Sequence, residues 1–242
     1  MANVELTELD ILNGTFALIF VIISLFVGFR IFFKYFSLKR KELITVGLSW
    51  IFLSSGWWGA GFSFLSVILF DLPFTPLLYI ALGNIFVPIA ILTWIYSFAT
   101  MVYPDLKNKI MVIFLLICIP YEIVLIYFLI TDLSVIGVFK GIFFYQPSLL
   151  AMSFQIFAVL VALITGIIFS KKSLHSEDQR IRWKGRFLLM AFIFFTLGSV
   201  LDAALTISPA ILVIGRLILA ASAFEYYLGF LLPEKIADWL IK

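Results

Sequence analysis

Seven separate stretches of this chain are each long and apolar enough to cross a lipid bilayer, and nothing else in the sequence constrains the fold as strongly. A crossing helix needs about 20 apolar residues, because the hydrocarbon core is about 30 Å thick and a helix rises about 1.5 Å per residue. The qualifying runs cover residues 11–36, 43–70, 76–102, 110–130, 149–170, 187–206 and 209–231. Inside hydrocarbon each backbone N–H and C=O must find its partner within the segment, so each run is expected to be a helix. The second run is long enough to need tilt. Composition agrees: 64% of residues are hydrophobic and 13% charged, against about 45–50% and 25% in soluble domains. A soluble globular protein is excluded, and so is disorder, which requires low hydrophobicity and high net charge. The expected fold class is all-α: a polytopic seven-transmembrane-helix bundle, with 1–242 as a single transmembrane domain in the cell membrane.

The loops set the expected orientation. Arg30, Lys34, Lys39, Arg40 and Lys41 follow or end the first run, and Lys107 and Lys109 follow the third. Lys171, Lys172, Arg180, Arg182, Lys184 and Arg186 follow the fifth, and Lys235 and Lys242 follow the seventh. These lie on one side and leave only Lys140 and Arg216 among the 17 basic residues. By the positive-inside rule that side is cytoplasmic, so the N-terminus is expected out and the C-terminus in. The start carries Glu5, Glu8 and Asp10 rather than a basic segment, and its apolar run exceeds the 7–15 residues or so of a signal peptide. It therefore reads as the first helix. Basic residues confined to short loops, with a net charge of +3, give no nucleic-acid signal.

Local chemistry marks the boundaries. Ser208 and Pro209 read as N-cap and first residue of the last span. Ser176-Glu177-Asp178-Gln179 reads as a capping box, which starts the sixth helix before the bilayer and sets Asp178 beside Arg182 at i,i+4. Pro233 stops the last span, and 233–242 reads as a short interfacial helix or a frayed tail. The segment 131–148 is apolar for a loop, with Ile136, Phe139, Phe143 and Tyr145. It either rests on lipid, the reading adopted here, or folds over the bundle as a lid. The run Ser54–Gly61 gives the second span a small-residue face for close packing. Cys118, the single cysteine, reads as a small packing residue.

Charges inside a bilayer cost about 2.5–3.5 kcal/mol each at the helix centre, so they face the bundle interior and find partners. Glu122, Asp202, Arg216 and Glu225 are such residues. At about 1.5 Å per residue from the outer helix ends, Glu122, Arg216 and Asp202 lie roughly 6–12 Å deep. Asn84 and Gln155 fall at the same level, and Trp57, Trp58 and Tyr121 lie close by. Helices 2 to 7 thus deliver polar or amphipathic groups to one layer. Two readings stand. The layer is a structural network in which Glu122 or Asp202 neutralises Arg216, or it is a ligand pocket open to the outer face. Pro88 and Pro120 interrupt helices 3 and 4 and free backbone carbonyls there.

Most enzyme chemistries lack their residues. The only histidine, His175, lies in a cytoplasmic loop, so no histidine-based haem or zinc site is expected within the membrane. No span pairs Ser or Cys with His. An aspartyl dyad lacks its second Asp, and Arg216 at that depth favours an ion pair over a shared proton. No span interior holds the lysine that a retinal Schiff base needs. Neither catalysis, a cofactor nor a metal is expected.

The segment Ser176-Glu-Asp-Gln-Arg-Ile-Arg-Trp-Lys-Gly-Arg-Phe-Leu-Leu-Met-Ala-Phe, followed by Gly198-Ser-Val-Leu-Asp202-Ala-Ala, resembles the sixth helix of seven-span proteins from Asgard-type archaea. The ending Phe224-Glu-Tyr-Tyr-Leu-Gly-Phe-Leu-Leu-Pro233-Glu is similar to theirs. That family carries no activity to transfer. The layout alone also resembles the seven-helix sensor modules of histidine kinases, which implies an input module.

The functional expectation is a receptor-like or sensor-like protein. It would bind a small or lipid-like ligand through Glu122, Arg216, Asp202, Asn84, Gln155, Trp57, Trp58 and Tyr121. A cytoplasmic partner would dock at the basic 171–186 loop, where membrane lipids are the competing partner. Two alternatives remain open: a transporter or channel using the same layer, and a lipid-interacting scaffold whose layer is purely structural.

Overall fold

The computed structural model describes residues 5–203 and 208–241. Helix α1 (Glu8–Leu38) starts at a reciprocal cap. The Thr7 hydroxyl accepts from the Asp10 N–H at 3.2 Å, and the Asp10 carboxylate accepts from the Thr7 N–H at 3.0 Å. The second span is two helices, α2 (Glu42–Leu53) and α3 (Trp58–Phe70), joined by a 3₁₀ turn over Ser54–Trp57. The third is α4 (Pro76–Asn84) followed by α5 (Phe86–Val102). Then come α6 (Lys107–Thr131), a two-stranded hairpin of β1 (Gly137–Phe139) and β2 (Tyr145–Pro147), α7 (Leu149–Leu174), α8 (Gln179–Ala203), α9 (Pro209–Leu231) and α10 (Glu234–Leu240). Seven of the resulting helical spans are long and apolar enough to cross a membrane. The expected end of the sixth, residues 204–206, lies outside the described residues.

The two breaks have local causes. Ser54 Oγ donates to the Ile51 carbonyl at 2.7 Å and accepts from the Trp58 indole at 3.1 Å, which competes with regular helical bonding. Pro88 has no N–H for the Asn84 carbonyl, and the break at Ile85 falls one turn before it. Pro120, by contrast, sits within an unbroken α6.

Six spans form a closed ring in the order α1, α2–α3, α4–α5, α7, α8, α9 and back to α1, and α6 packs outside it against α5. The ring is filled by Phe20, Trp50, Trp94, Phe192, Phe195 and Tyr226, among others. Trp50 stacks on Tyr226 at 4.1 Å between ring centroids, and Trp94 lies 4.9 Å from Phe192. A void of about 10 Å³ beside Ser49 and Tyr226 has room for about one water molecule. The outward faces stay apolar, with Phe26 68%, Leu116 70% and Ile130 79% exposed, which is the surface lipid would cover.

Several sequence expectations are met and others corrected. Cys118 is buried in the core. Close packing at the small-residue run is present: a Cβ on Gly59 would lie 2.7 Å from the Tyr79 carbonyl, and one on Gly61 3.1 Å from Leu18 Cα. The tail is helical, with Trp239 74% exposed. The cap of α8 shifts to Asp178, whose carboxylate accepts from the Arg180 N–H at 2.7 Å. Arg182 does not meet Asp178 in an ion pair; it donates to the carbonyls of Ser176 and Glu177, at 3.1 and 2.9 Å. The larger correction concerns 131–148. Ile136 and Phe143 are fully buried against Ala17, Tyr79 and Phe64, so the segment folds over the end of the bundle. Pairing Gly137 with Pro147 and Phe139 with Tyr145, together with the Lys140 N–H donating to the Phe144 carbonyl at 2.8 Å, satisfies part of its backbone and lowers the cost of burying an apolar loop.

Candidate functional site

Beneath that hairpin, side chains from five spans meet. α8 and α9 make the centre possible because they cross closely: a Cβ on Gly198 would lie 3.0 Å from the Gly215 carbonyl. Asp202, one turn beyond Gly198, thereby reaches Arg216. The Arg216 Nε lies 2.7 Å from Asp202 Oδ1. The other carboxylate oxygen accepts from the Trp57 indole N–H at 2.7 Å. The 3₁₀ turn between α2 and α3 places Trp57 there, and its ring centroid is 5.8 Å from the guanidinium carbon, within cation–π reach. Arg216 Nη2 donates to Asn13 Oδ1 on α1 at 2.9 Å. Asn13 Nδ2 then donates at 2.9 Å to the carbonyl of Phe143 in the hairpin loop. The Tyr79 hydroxyl on α4 donates to that same carbonyl at 2.8 Å. A continuous chain of polar contacts thus runs from Trp57 to the loop.

The centre is closed. Arg216 is 3% exposed, Asn13 2% and the Asp202 side chain 15%. A guanidinium has five N–H donors, and Arg216 Nη1 has no hydrogen-bond partner among the described residues. A fixed cation with a free donor and a bound carboxylate is suited to holding a charged or polar group. Among the described residues no three His, Cys, Asp or Glu side chains cluster to hold a metal ion.

The expected layer divides. Trp57, Asp202 and Arg216 come together as one unit. Asn84 and Gln155 form a second, with Gln155 Nε2 donating to Asn84 Oδ1 at 3.1 Å and Asn84 Nδ2 to the Ile80 carbonyl at 2.8 Å. Tyr145 of the hairpin packs beside Tyr79, with ring centroids 6.4 Å apart. Burial pushes the Tyr145 hydroxyl up to about 12, and Asn84 pulls the other way. It therefore serves as a neutral donor to the Ile136 carbonyl, at 2.9 Å.

Three expected residues lie elsewhere. Glu122 is not the partner of Arg216, because α6 stands outside the ring, and its Oε2 has no hydrogen-bond partner among the described residues. Tyr121 stacks on Phe154 at 3.5 Å between centroids, in an aromatic contact with α7. Trp58 donates to Ser54 and packs beside Phe52 and Phe86, turned away from Trp57 as adjacent helical residues must be. Asn13 and Tyr79 were missed. Both stand within the first turns of their spans, where polar groups usually mean only that a helix is leaving the bilayer. No family model and no curated protein matches the chain.

Proposed function

We propose that the protein is a receptor-like multi-pass membrane protein, N-terminus out and C-terminus in, that recognises a small or lipid-like ligand at the Arg216 centre. Fourteen of the 16 described basic residues lie at the end away from the hairpin or in the loops leading to it, which supports the orientation. The observation that carries the functional reading is the state of Arg216. It is buried and has donors to spare, and besides its pairing with Asp202 it reaches a loop carbonyl through Asn13. A loop is the element most easily moved aside. A ligand carrying a carboxylate, phosphate or carbonyl would take the place of the Phe143 carbonyl and engage Nη1. Signalling would pass from α9 to the basic end and a cytoplasmic partner at 171–186.

The test is photo-crosslinking in native membranes from a diazirine side chain at position 143. Enrichment of one compound over bulk lipid, lost in Arg216→Gln, is the expected result. Capture of bulk phospholipid alone, in proportion to its abundance, would refute the proposal.

One observation favours a second reading. The breaks at Ser54–Trp57 and Ile85 both fall beside polar groups of this layer, as discontinuous helices do in transporters. Solute flux in proteoliposomes that disappears in Asp202→Asn would select it over a receptor.

A further inference from the structure

At the opposite, basic end the helix ends flank an open cleft of about 430 Å³. Its rim is polar and positive: Arg40 just after α1, and Lys172, Ser173 and Ser176 at the end of α7. Its wall is apolar, from Met101 of α5 and Phe169 of α7. No carboxylate lines it.

Neither cation is neutralised. Lys172 Nζ donates to the carbonyls of Val102 and Met101, at 3.2 and 3.4 Å, at the end of α5. Those partners are uncharged and use two of three ammonium donors, so the full charge and one donor remain. The Arg40 guanidinium makes no hydrogen bond or ion pair with any described residue. Concentrated positive charge above a low-dielectric floor focuses the field on an anion.

We infer that this cleft binds a phosphate group, carried by a lipid headgroup or free in solution. A guanidinium fork, an ammonium and the Ser176 hydroxyl suit the several acceptor oxygens of phosphate. The apolar wall is where an acyl chain would run if the phosphate belongs to a lipid.

The full-length protein in detergent micelles tests this. Its thermal unfolding is followed against added phosphatidylglycerol, phosphatidylcholine or inorganic phosphate. Arg40→Gln and Lys109→Gln are compared, because Lys109 is an exposed cation at the same end that does not line the cleft. Stabilisation by phosphatidylglycerol should weaken about tenfold in apparent affinity in Arg40→Gln, the worth of one charge-assisted contact, and persist in Lys109→Gln. If inorganic phosphate stabilises in the same Arg40-dependent way, the free anion suffices. If only the lipid does, the wall contributes. Equal weakening in both variants, or no stabilisation by any of the three phosphate carriers, overturns the inference, since the first outcome reports only general surface charge.

Discussion

Replacing Asp202 by Asn isolates the charge of the Arg216 centre from its hydrogen bonding. The amide is nearly the same size and can still accept from the Trp57 indole, which now donates to Asp202 at 2.7 Å. What disappears is the negative charge 2.7 Å from a guanidinium that is 3% exposed. An ordinary interhelical polar contact in a bilayer is worth about 0.6 kcal/mol on average and about 1.7 at most. A buried cation stripped of its counter-ion costs about 3–5 kcal/mol. The two expectations do not overlap, so the magnitude decides between them. Asp202→Asn should destabilise by about 3 kcal/mol or more, measured by reversible unfolding in mixed micelles. Arg216→Gln added to it should cost less than the sum of the two single effects, by up to about 3 kcal/mol. High salt should change neither value much, because the pair is buried. A loss below about 1.7 kcal/mol with additive single effects would sink the ion-pair argument and leave an ordinary polar contact.

Other perturbations follow from the same geometry. Glu122→Gln combined with Arg216→Gln should be additive within about 0.5 kcal/mol, because α6 lies outside the ring; coupling in a thermal-unfolding cycle would contradict that placement. Gly47→Ala should destabilise by about 1–3 kcal/mol, since its Cβ would lie 2.6 Å from the Gly28 carbonyl and 2.8 Å from the Phe32 nitrogen, and both obstacles are backbone. The same unfolding assay checks it. Tyr145→Phe removes the donor to Ile136 and should cost about 1 kcal/mol, read as faster hydrogen exchange across the hairpin. The hydroxyl's folded value, about 12, lies above its ordinary 10, so the neutral form is the one stabilised. The advantage of wild type over Tyr145→Phe is therefore complete below pH 10, and it declines as pH rises from 10 through 12. An advantage that instead falls between pH 6 and 8 would place the titrating group elsewhere.

The spans could be read from the sequence because their cause is one-dimensional. A run of apolar residues must cross hydrocarbon as a helix wherever its neighbours sit. Residue depth was legible on the same grounds, and Asp202 and Arg216 do share a level. Azimuth was not. Glu122 has the right depth for Arg216, yet the order of helices round the ring puts α6 outside and makes Asp202 the counter-ion. Trp57 and Trp58 differ by one residue in depth and by about 100° round a helix; only Trp57 reaches the carboxylate.

The hairpin marks a second limit. Its hydrophobicity is equally suited to lipid and to a protein core, and the backbone decides between them. Once β1 pairs with β2, part of its backbone is satisfied and Phe143 can enter the bundle. That leaves the Phe143 carbonyl pointing inward as an acceptor, shared by Asn13 and Tyr79. No side-chain pattern encodes this, because the group that completes the polar centre belongs to the main chain. The Arg216 network is thus latched to the hairpin loop through a single carbonyl. Any group that competes with one carbonyl for Asn13 and Tyr79 acts at once on the loop above and, through Asn13 and Arg216, on the α8–α9 crossing below.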